Sequence, residues 1–198
     1  MWVVDEGPRG AKTYDVTDDG RAELRSWLLP DPDRRRRRLP CMLRAALTAL
    51  TAHDGPGACQ LAALGSRIVG AAIWDPPGHR GRGPWRRARV RATRLRALGP
   101  SGLRRMAVLG ERLGAVRPAE PHWYLDHLGA DPGVPRCGAG SALLSAGLAR
   151  ADADGVASYL ECKAGNVAYY RRFGFEQRDE VALDRGRLVV LTMLRPPP

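Results

Sequence analysis

His122–Ala130 (HWYLDHLGA), Gly138–Ala153 (GAGSALLSAGLARADA) and Val156–Phe175 (VASYLECKAGNVAYYRRFGF) decide how the rest of this chain is read. The first stretch is short, aromatic and apolar, and Asp131-Pro132-Gly133 stops it, so it reads as a buried strand. A helix follows, opened by Gly138-Ala139-Gly140-Ser141 and continued by Ala142 to Ala153, with Leu143, Leu144 and Leu148 on its inner face. A turn without bulky side chains at a helix N-terminus aims free N–H groups and the positive end of the helix dipole at one spot, which favours phosphate oxygens. The third stretch reads as a buried strand over Val156 to Cys162 and a short tyrosine-bearing helix over Asn166 to Phe173. Other nucleotide-binding signatures fit worse. A dinucleotide fingerprint needs glycine where Leu143 stands, and a P-loop needs Gly-Lys-Ser/Thr, which is absent.

The same residues carry a resemblance. Trp123-Tyr124-Leu125 through Asp131-Pro132, Gly138 to Leu144, Tyr159-Leu160-Glu161, Asn166 and Tyr169-Tyr170-Arg171-Arg172-Phe173-Gly174-Phe175 resemble the Gcn5-related N-acetyltransferase superfamily. The likeness is nearest to the branch with puromycin N-acetyltransferase and similar actinobacterial enzymes. It continues more weakly through Ile73 to Pro77 and Trp27 to Asp31. It implies an α/β fold: a central mixed twisted sheet flanked by helices, with a pyrophosphate-binding turn between the family's fourth strand and third helix.

Two departures stand out. The family's pyrophosphate loop runs Gln/Arg-x-x-Gly-x-Gly/Ala; with its glycines on Gly138 and Gly140, Pro135 falls where Gln or Arg belongs and Arg136 where glycine is usual. Proline lacks an N–H, so one donor is missing. Either the amides of Arg136 to Ser141 still hold coenzyme A, with Arg136 adding charge, or the site has moved to another donor. The second departure is N-terminal, because residues 1–19 contain no clear version of the family's first strand, with Tyr14-Asp15-Val16 as a candidate remnant.

Length and composition fit one domain over residues 1–198, with an Arg-rich helical insertion at 75–117. Cys41, Cys59, Cys137 and Cys162 have neither CxxC spacing nor a histidine cluster, so neither a metal site nor a disulfide framework is expected. Residues 1–10 lack an apolar signal core, and no run approaches a membrane span, which points to a cytoplasmic protein, monomer or homodimer.

The net charge is +11, with Arg34 to Arg38 in one run and ten arginines between Arg80 and Arg105, where no acidic residue occurs. Trp85, Ala88, Ala92 and Leu95 recur at helical spacing while Arg87, Arg91 and Arg94 fall on another face, so a basic amphipathic helix could meet a polyanion. Lys12 and Lys163 are the only lysines. That bias is the one a GC-rich coding sequence produces, and a solvated arginine face is the simpler reading of it.

Elsewhere, helices are expected over Gly20 to Leu29, Arg34 to Ala52 and within Pro84 to Val116. A hairpin is expected from Ala58 to Leu64 and Arg67 to Trp74 through Gly65-Ser66. A terminal hairpin joins Phe175 to Leu183 with Arg187 to Leu194.

What the resemblance implies about chemistry falls on named positions. Coenzyme A would be held by Arg136, Cys137, Gly138, Ala139, Gly140 and Ser141, by backbone around Leu128 and Ala130, where a bulge frees an oxyanion-binding N–H, and by Asn166, which could also cap its helix. Tyr170, four residues before Gly174, would assist the departing sulfur as general acid, while Tyr169 and Phe173 suit core packing. Asp126 is the candidate base, unless it merely pairs with an arginine; Glu161 is the second candidate, and His127 is expected on the opposite face. The implied activity is transfer of an acetyl group from acetyl-CoA to a primary amine of a small molecule, antibiotic-like or a natural-product intermediate, in antibiotic biosynthesis or resistance. Two alternatives stay open: an aminoacyl-tRNA-dependent transferase using the arginine surfaces to hold tRNA, and a degenerate, non-catalytic binding protein of the same fold.

Overall fold

In a computed structural model of the chain, the described residues are 2–6, 12–15, 58–65, 67–78, 104–105, 107–183 and 186–198. The expected helices at 20–29 and 34–52, the arginine run at 34–38 and the amphipathic stretch at 85–95 lie outside them. The described elements run β1 (Trp2–Glu6), β2 (Lys12–Asp15), β3 (Ala58–Leu64), β4 (Arg67–Asp75), α1 (residues 107–116), β5 (His122–Ala130), α2 (Ala139–Ala153), β6 (Ala157–Cys162), a 3-10 turn (Ala164–Asn166), α3 (Val167–Arg171), β7 (Glu176–Leu183) and β8 (Leu188–Arg195).

The strands form one eight-stranded sheet in the order β1-β2-β3-β4-β5-β6-β8-β7. Neighbours are antiparallel except β5 and β6, which run parallel. A parallel pair needs a crossover, and α2 supplies it. The sheet is therefore mixed, as expected for the fold. The N-terminal segment contributes β1 and β2; β2 contains Tyr14 and Asp15 of the candidate remnant, with Tyr14 opposite Leu61 of β3.

α2 packs across β3, β4 and β5, and its inner residues Leu143, Leu144 and Leu148 join Trp74, Trp123, Leu125 and Leu160 in the main core. Burying one such leucine contributes about 1.5–3 kcal/mol. At its far end α2 is tied to the sheet by ion pairs and hydrogen bonds: the Arg195 guanidinium forks onto Asp152 at 2.5 and 3.0 Å, and the Trp123 indole N–H donates to Asp154 at 2.8 Å.

Helix and sheet pack tightly at Gly147. A Cβ there would lie 2.2 Å from atoms of the fully buried Trp74 ring. On a solvated helix Gly→Ala gains about 1 kcal/mol. Here the overlap reverses the sign, because overpacking against a rigid ring typically costs about 1–3 kcal/mol, and more at so short a distance. Gly147→Ala is accordingly expected to lower the unfolding free energy by about 2 kcal/mol or more, read from urea midpoints. A stability equal to or above that of the unmodified chain would contradict this packing.

Candidate functional site

β5 and β6 are paired only at their N-terminal ends. Their ladder runs from His122–Ala157 to Leu125–Leu160, yet β5 continues to Ala130 and β6 to Cys162. Beyond Leu125 the two strands separate, while β4 still follows β5 and β8 still follows β6. The result is a wedge-shaped opening in the middle of the sheet, with backbone polar groups along its edges.

A bulge sits at the start of the opening. Against β4, Ile73 is opposite His127 and Trp74 is opposite Leu125, so Asp126 is the extra residue on β5. The bulge thus falls two residues before Leu128, where the sequence reading put it. The extra residue of a bulge breaks the alternation of side chains, and one expectation fails for that reason. His127 does not turn away from Asp126; its Nδ1 lies 3.1 Å from Asp126 Oδ2.

The turn between β5 and α2 borders the same opening. Asp131, buried, ties it to β4: its N–H donates to the Val69 carbonyl at 2.8 Å, and its carboxylate accepts from Gly133 N–H at 2.8 Å and from Arg67 at 2.6 Å. Gly138, the residue before the helix, has φ 82°, and no side chain caps α2. The first amide used within the helix is that of Ala142, bonded to the Gly138 carbonyl at 2.9 Å, so the amides of Ala139, Gly140 and Ser141 have no intrahelical acceptor. No acidic residue occupies the first turn. An anion fits there on backbone donors and the helix dipole.

Arg136 is left-handed too, at φ 62°, the only such residue other than glycine among the described ones. That conformation costs a non-glycine residue about 1–2 kcal/mol. It explains physically why glycine is usual at this position in similar turns. Arg136 is exposed and Cys137 half-buried. Behind the turn, Gly140 leaves room for the Tyr169 hydroxyl, which would stand 3.1 Å from a Cβ at that position.

Tyr170 lies on α3, with Cys162 at the end of β6 among the groups that act on its phenol. It is more deeply buried than Tyr169 and Phe173 and belongs to the main core, reversing the expected division between them. Its ring meets Phe175 and Tyr169 edge-on at 6.0 and 5.2 Å. Burial, with smaller contributions from Cys162 and Tyr169, pushes its phenol up to about 12. The hydroxyl therefore keeps its proton through the neutral range and stands as a donor. Asn166 is exposed and makes no capping hydrogen bond to α3; the expected cap is not formed.

On the other side of the β5–β6 junction, Glu161 is committed at both oxygens. Oε1 accepts from Arg117 at 3.0 Å and Oε2 from the Tyr124 hydroxyl at 2.9 Å. The Arg117 guanidinium also stacks 3.9 Å from the centre of the Tyr124 ring. Burial first, then the charges of Glu161 and Asp126, push the Tyr124 phenol well above its ordinary range. Glu161 is thus engaged as an acceptor in an ion-pair network, an arrangement unlike that of a free base. Arg117 was not singled out in the sequence; it follows α1 and nothing local marks it.

Residues 21–175 match the family model for the acetyltransferase (GNAT) family. Among solved structures, the chain is similar to a histone acetyltransferase HPA2 and related acetyltransferase from Corynebacterium glutamicum, at 24% identity and TM-score 0.60, covering 95% of this chain and 97% of that one. It is similar as well to the ribosomal-protein-S18-alanine N-acetyltransferase of Escherichia coli, at 14% identity and TM-score 0.52, covering 94% and 93%. A putative GNAT-family acetyltransferase from Desulfovibrio desulfuricans aligns at 13% identity and TM-score 0.53, covering 94% and 98%.

Proposed function

This chain belongs to the acetyltransferase (GNAT) family and is an N-acetyltransferase, and from that premise we propose that it moves an acetyl group from acetyl-CoA to a primary amine of a small molecule. The observation that carries the donor half is the uncapped N-terminus of α2 beside the opening between β5 and β6. The coenzyme's pyrophosphate meets the amides of Ala139 to Ser141, and the thioester arm enters the opening. The bulged backbone between Asp126 and Leu128 faces the acetyl carbonyl and stabilises its developing negative charge; a preorganised donor of that kind contributes about 3 kcal/mol. Tyr170 donates a hydrogen bond to the leaving sulfur. Proton acceptance belongs at the bulge of β5, formed at Asp126, while Glu161 holds Arg117 and the Tyr124 hydroxyl. Leu128 and Ala130 act through backbone. The acceptor reading, an antibiotic-like or aminonucleoside amine, rests on the puromycin N-acetyltransferase-like motifs, and that finer branch is part of the proposal.

The test is acetyl transfer from acetyl-CoA to a panel of aminonucleosides and polyamines beside peptides with a free N-terminal alanine, followed by thiol release. Acetylation of the small amines in preference to the peptides is the expected result. Preference for the peptides would overturn the acceptor assignment. Product that forms only from aminoacyl-tRNA, and disappears on ribonuclease treatment, would overturn the donor.

Arg136 supplies a second test. Its charge at an exposed position contributes modestly to coenzyme binding, about 0.5–1 kcal/mol, while its left-handed backbone opposes folding. Arg136→Gly is therefore expected to keep or slightly raise stability and to weaken acetyl-CoA about 3-fold, less so at high salt. Unchanged affinity at low salt would remove Arg136 from the binding site.

A further inference from the structure

We infer that His127 is the proton acceptor of the reaction and that Asp126 is the residue that positions it, a pair created by the β5 bulge. The inference rests on the acetyl-transfer reading above. In a regular strand these neighbours would point to opposite faces. The skipped partner on β4 brings His127 Nδ1 to 3.1 Å from Asp126 Oδ2. The pair lies where the β5–β6 ladder ends, so it borders the opening. The side chain of Asp126 is 17% exposed and that of His127 39%, which buries the carboxylate side and leaves the imidazole accessible to an acceptor. Nδ1 itself is buried and makes no well-aligned hydrogen bond, so Asp126 is the group at hand to hold its proton. With Nδ1–H turned to the carboxylate, Nε2 presents its lone pair. The residue across the ladder from His127, Ile73, is apolar, and Glu161 is held by Arg117 and Tyr124.

The geometry favours the imidazole: the Asp126 carboxylate is the more buried of the two and faces Nδ1, so the more exposed ring is left to meet the acceptor's ammonium group. His127 Nε2 takes one proton from the acceptor's ammonium group and releases it to solvent. The freed amine forms the C–N bond at the acetyl carbonyl, the C–S bond breaks, and a second proton leaves the nitrogen. The thiolate departs hydrogen-bonded to the Tyr170 hydroxyl and takes its proton from solvent, where the second amine proton has gone. The sum is amide, free thiol and one released proton.

The experiment compares His127→Ala, His127→Gln and Asp126→Asn with the unmodified chain, with and without added imidazole. His127→Ala is expected to lower kcat by about 10²- to 10³-fold, the usual contribution of a general base, with acetyl-CoA affinity unchanged in calorimetry. Imidazole should restore at least about 10-fold of that loss, since it replaces the missing base. Asp126→Asn should lower kcat by about 10-fold without rescue, because imidazole cannot replace a positioning group. His127→Gln, which keeps size and polarity, should match His127→Ala, so a folding defect in the latter does not decide the outcome. If His127→Gln turns over within about 3-fold of the unmodified chain, or His127→Ala binds acetyl-CoA normally but gains nothing from imidazole, the assignment fails. An unmodified chain that neither binds nor uses acetyl-CoA would instead overturn the underlying acetyl-transfer reading.

Discussion

Gly138→Glu is expected to weaken acetyl-CoA binding at least about 100-fold, about 2.7 kcal/mol. Three effects act together. Gly138 has φ 82°, so any side chain adds strain of about 1–2 kcal/mol at the turn. A glutamate carboxylate also reaches the free amides of Ala139 to Ser141 and occupies the donors that the pyrophosphate needs. Its charge repels the phosphates directly. The fold is damaged less than the site, because an acidic group at a helix N-terminus returns about 0.3–1 kcal/mol. Gly138→Ala separates the contributions: it carries the strain without the charge, and should bind within about 10-fold of the unmodified chain. Equal losses in both variants would mean that backbone conformation, and not anion recognition, governs the turn.

Tyr170→Phe is expected to lower kcat by about 10²-fold with little change in KM. The phenol, raised to about 12, stays protonated under all working conditions. A thiol titrates near 8.5, so complete proton transfer from Tyr170 to the thiolate is uphill by several pKa units. The hydroxyl acts chiefly as a hydrogen-bond donor to sulfur charge as it develops, and charged hydrogen bonds of this kind contribute about 1.5–3 kcal/mol. That range spans the expected factor. Phenylalanine preserves the packing against Phe175 and Tyr169, so stability should hold. Unchanged turnover with chemistry rate-limiting would make Tyr170 a core aromatic only.

The fold was legible where pattern and punctuation agree. β5 has the bounds of the HWYLDHLGA stretch, and α2 begins at the glycine turn, because apolar runs, Asp131-Pro132-Gly133 and Gly138 are local signals. Of the N-terminal strands only Tyr14-Asp15 was legible, because WVVDE and KTYD are short and their pairing with each other and with β3 depends on register between separate segments. The site was legible only in part. Alternation assigns His127 to the face away from Asp126, and a bulge is a property of register between two strands, which one strand's residues do not encode. Arg117 lies outside every motif, and its bond to Glu161 joins positions 44 residues apart, so no local signal encodes it. The unusual turn was the reverse case: Arg136 in place of glycine was evident in the sequence, and its φ of 62° supplies the reason.

The central claim is that α2's N-terminus and the opening between β5 and β6 hold an acetyl donor carrying a pyrophosphate. Calorimetric titration of the unmodified chain with acetyl-CoA tests it most directly. The account predicts saturable binding of one acetyl-CoA per chain, with Kd at or below about 100 µM, near −5.5 kcal/mol, and loss of that signal in Gly138→Glu. An unmodified chain that gives no binding isotherm with acetyl-CoA at about 1 mM would contradict it.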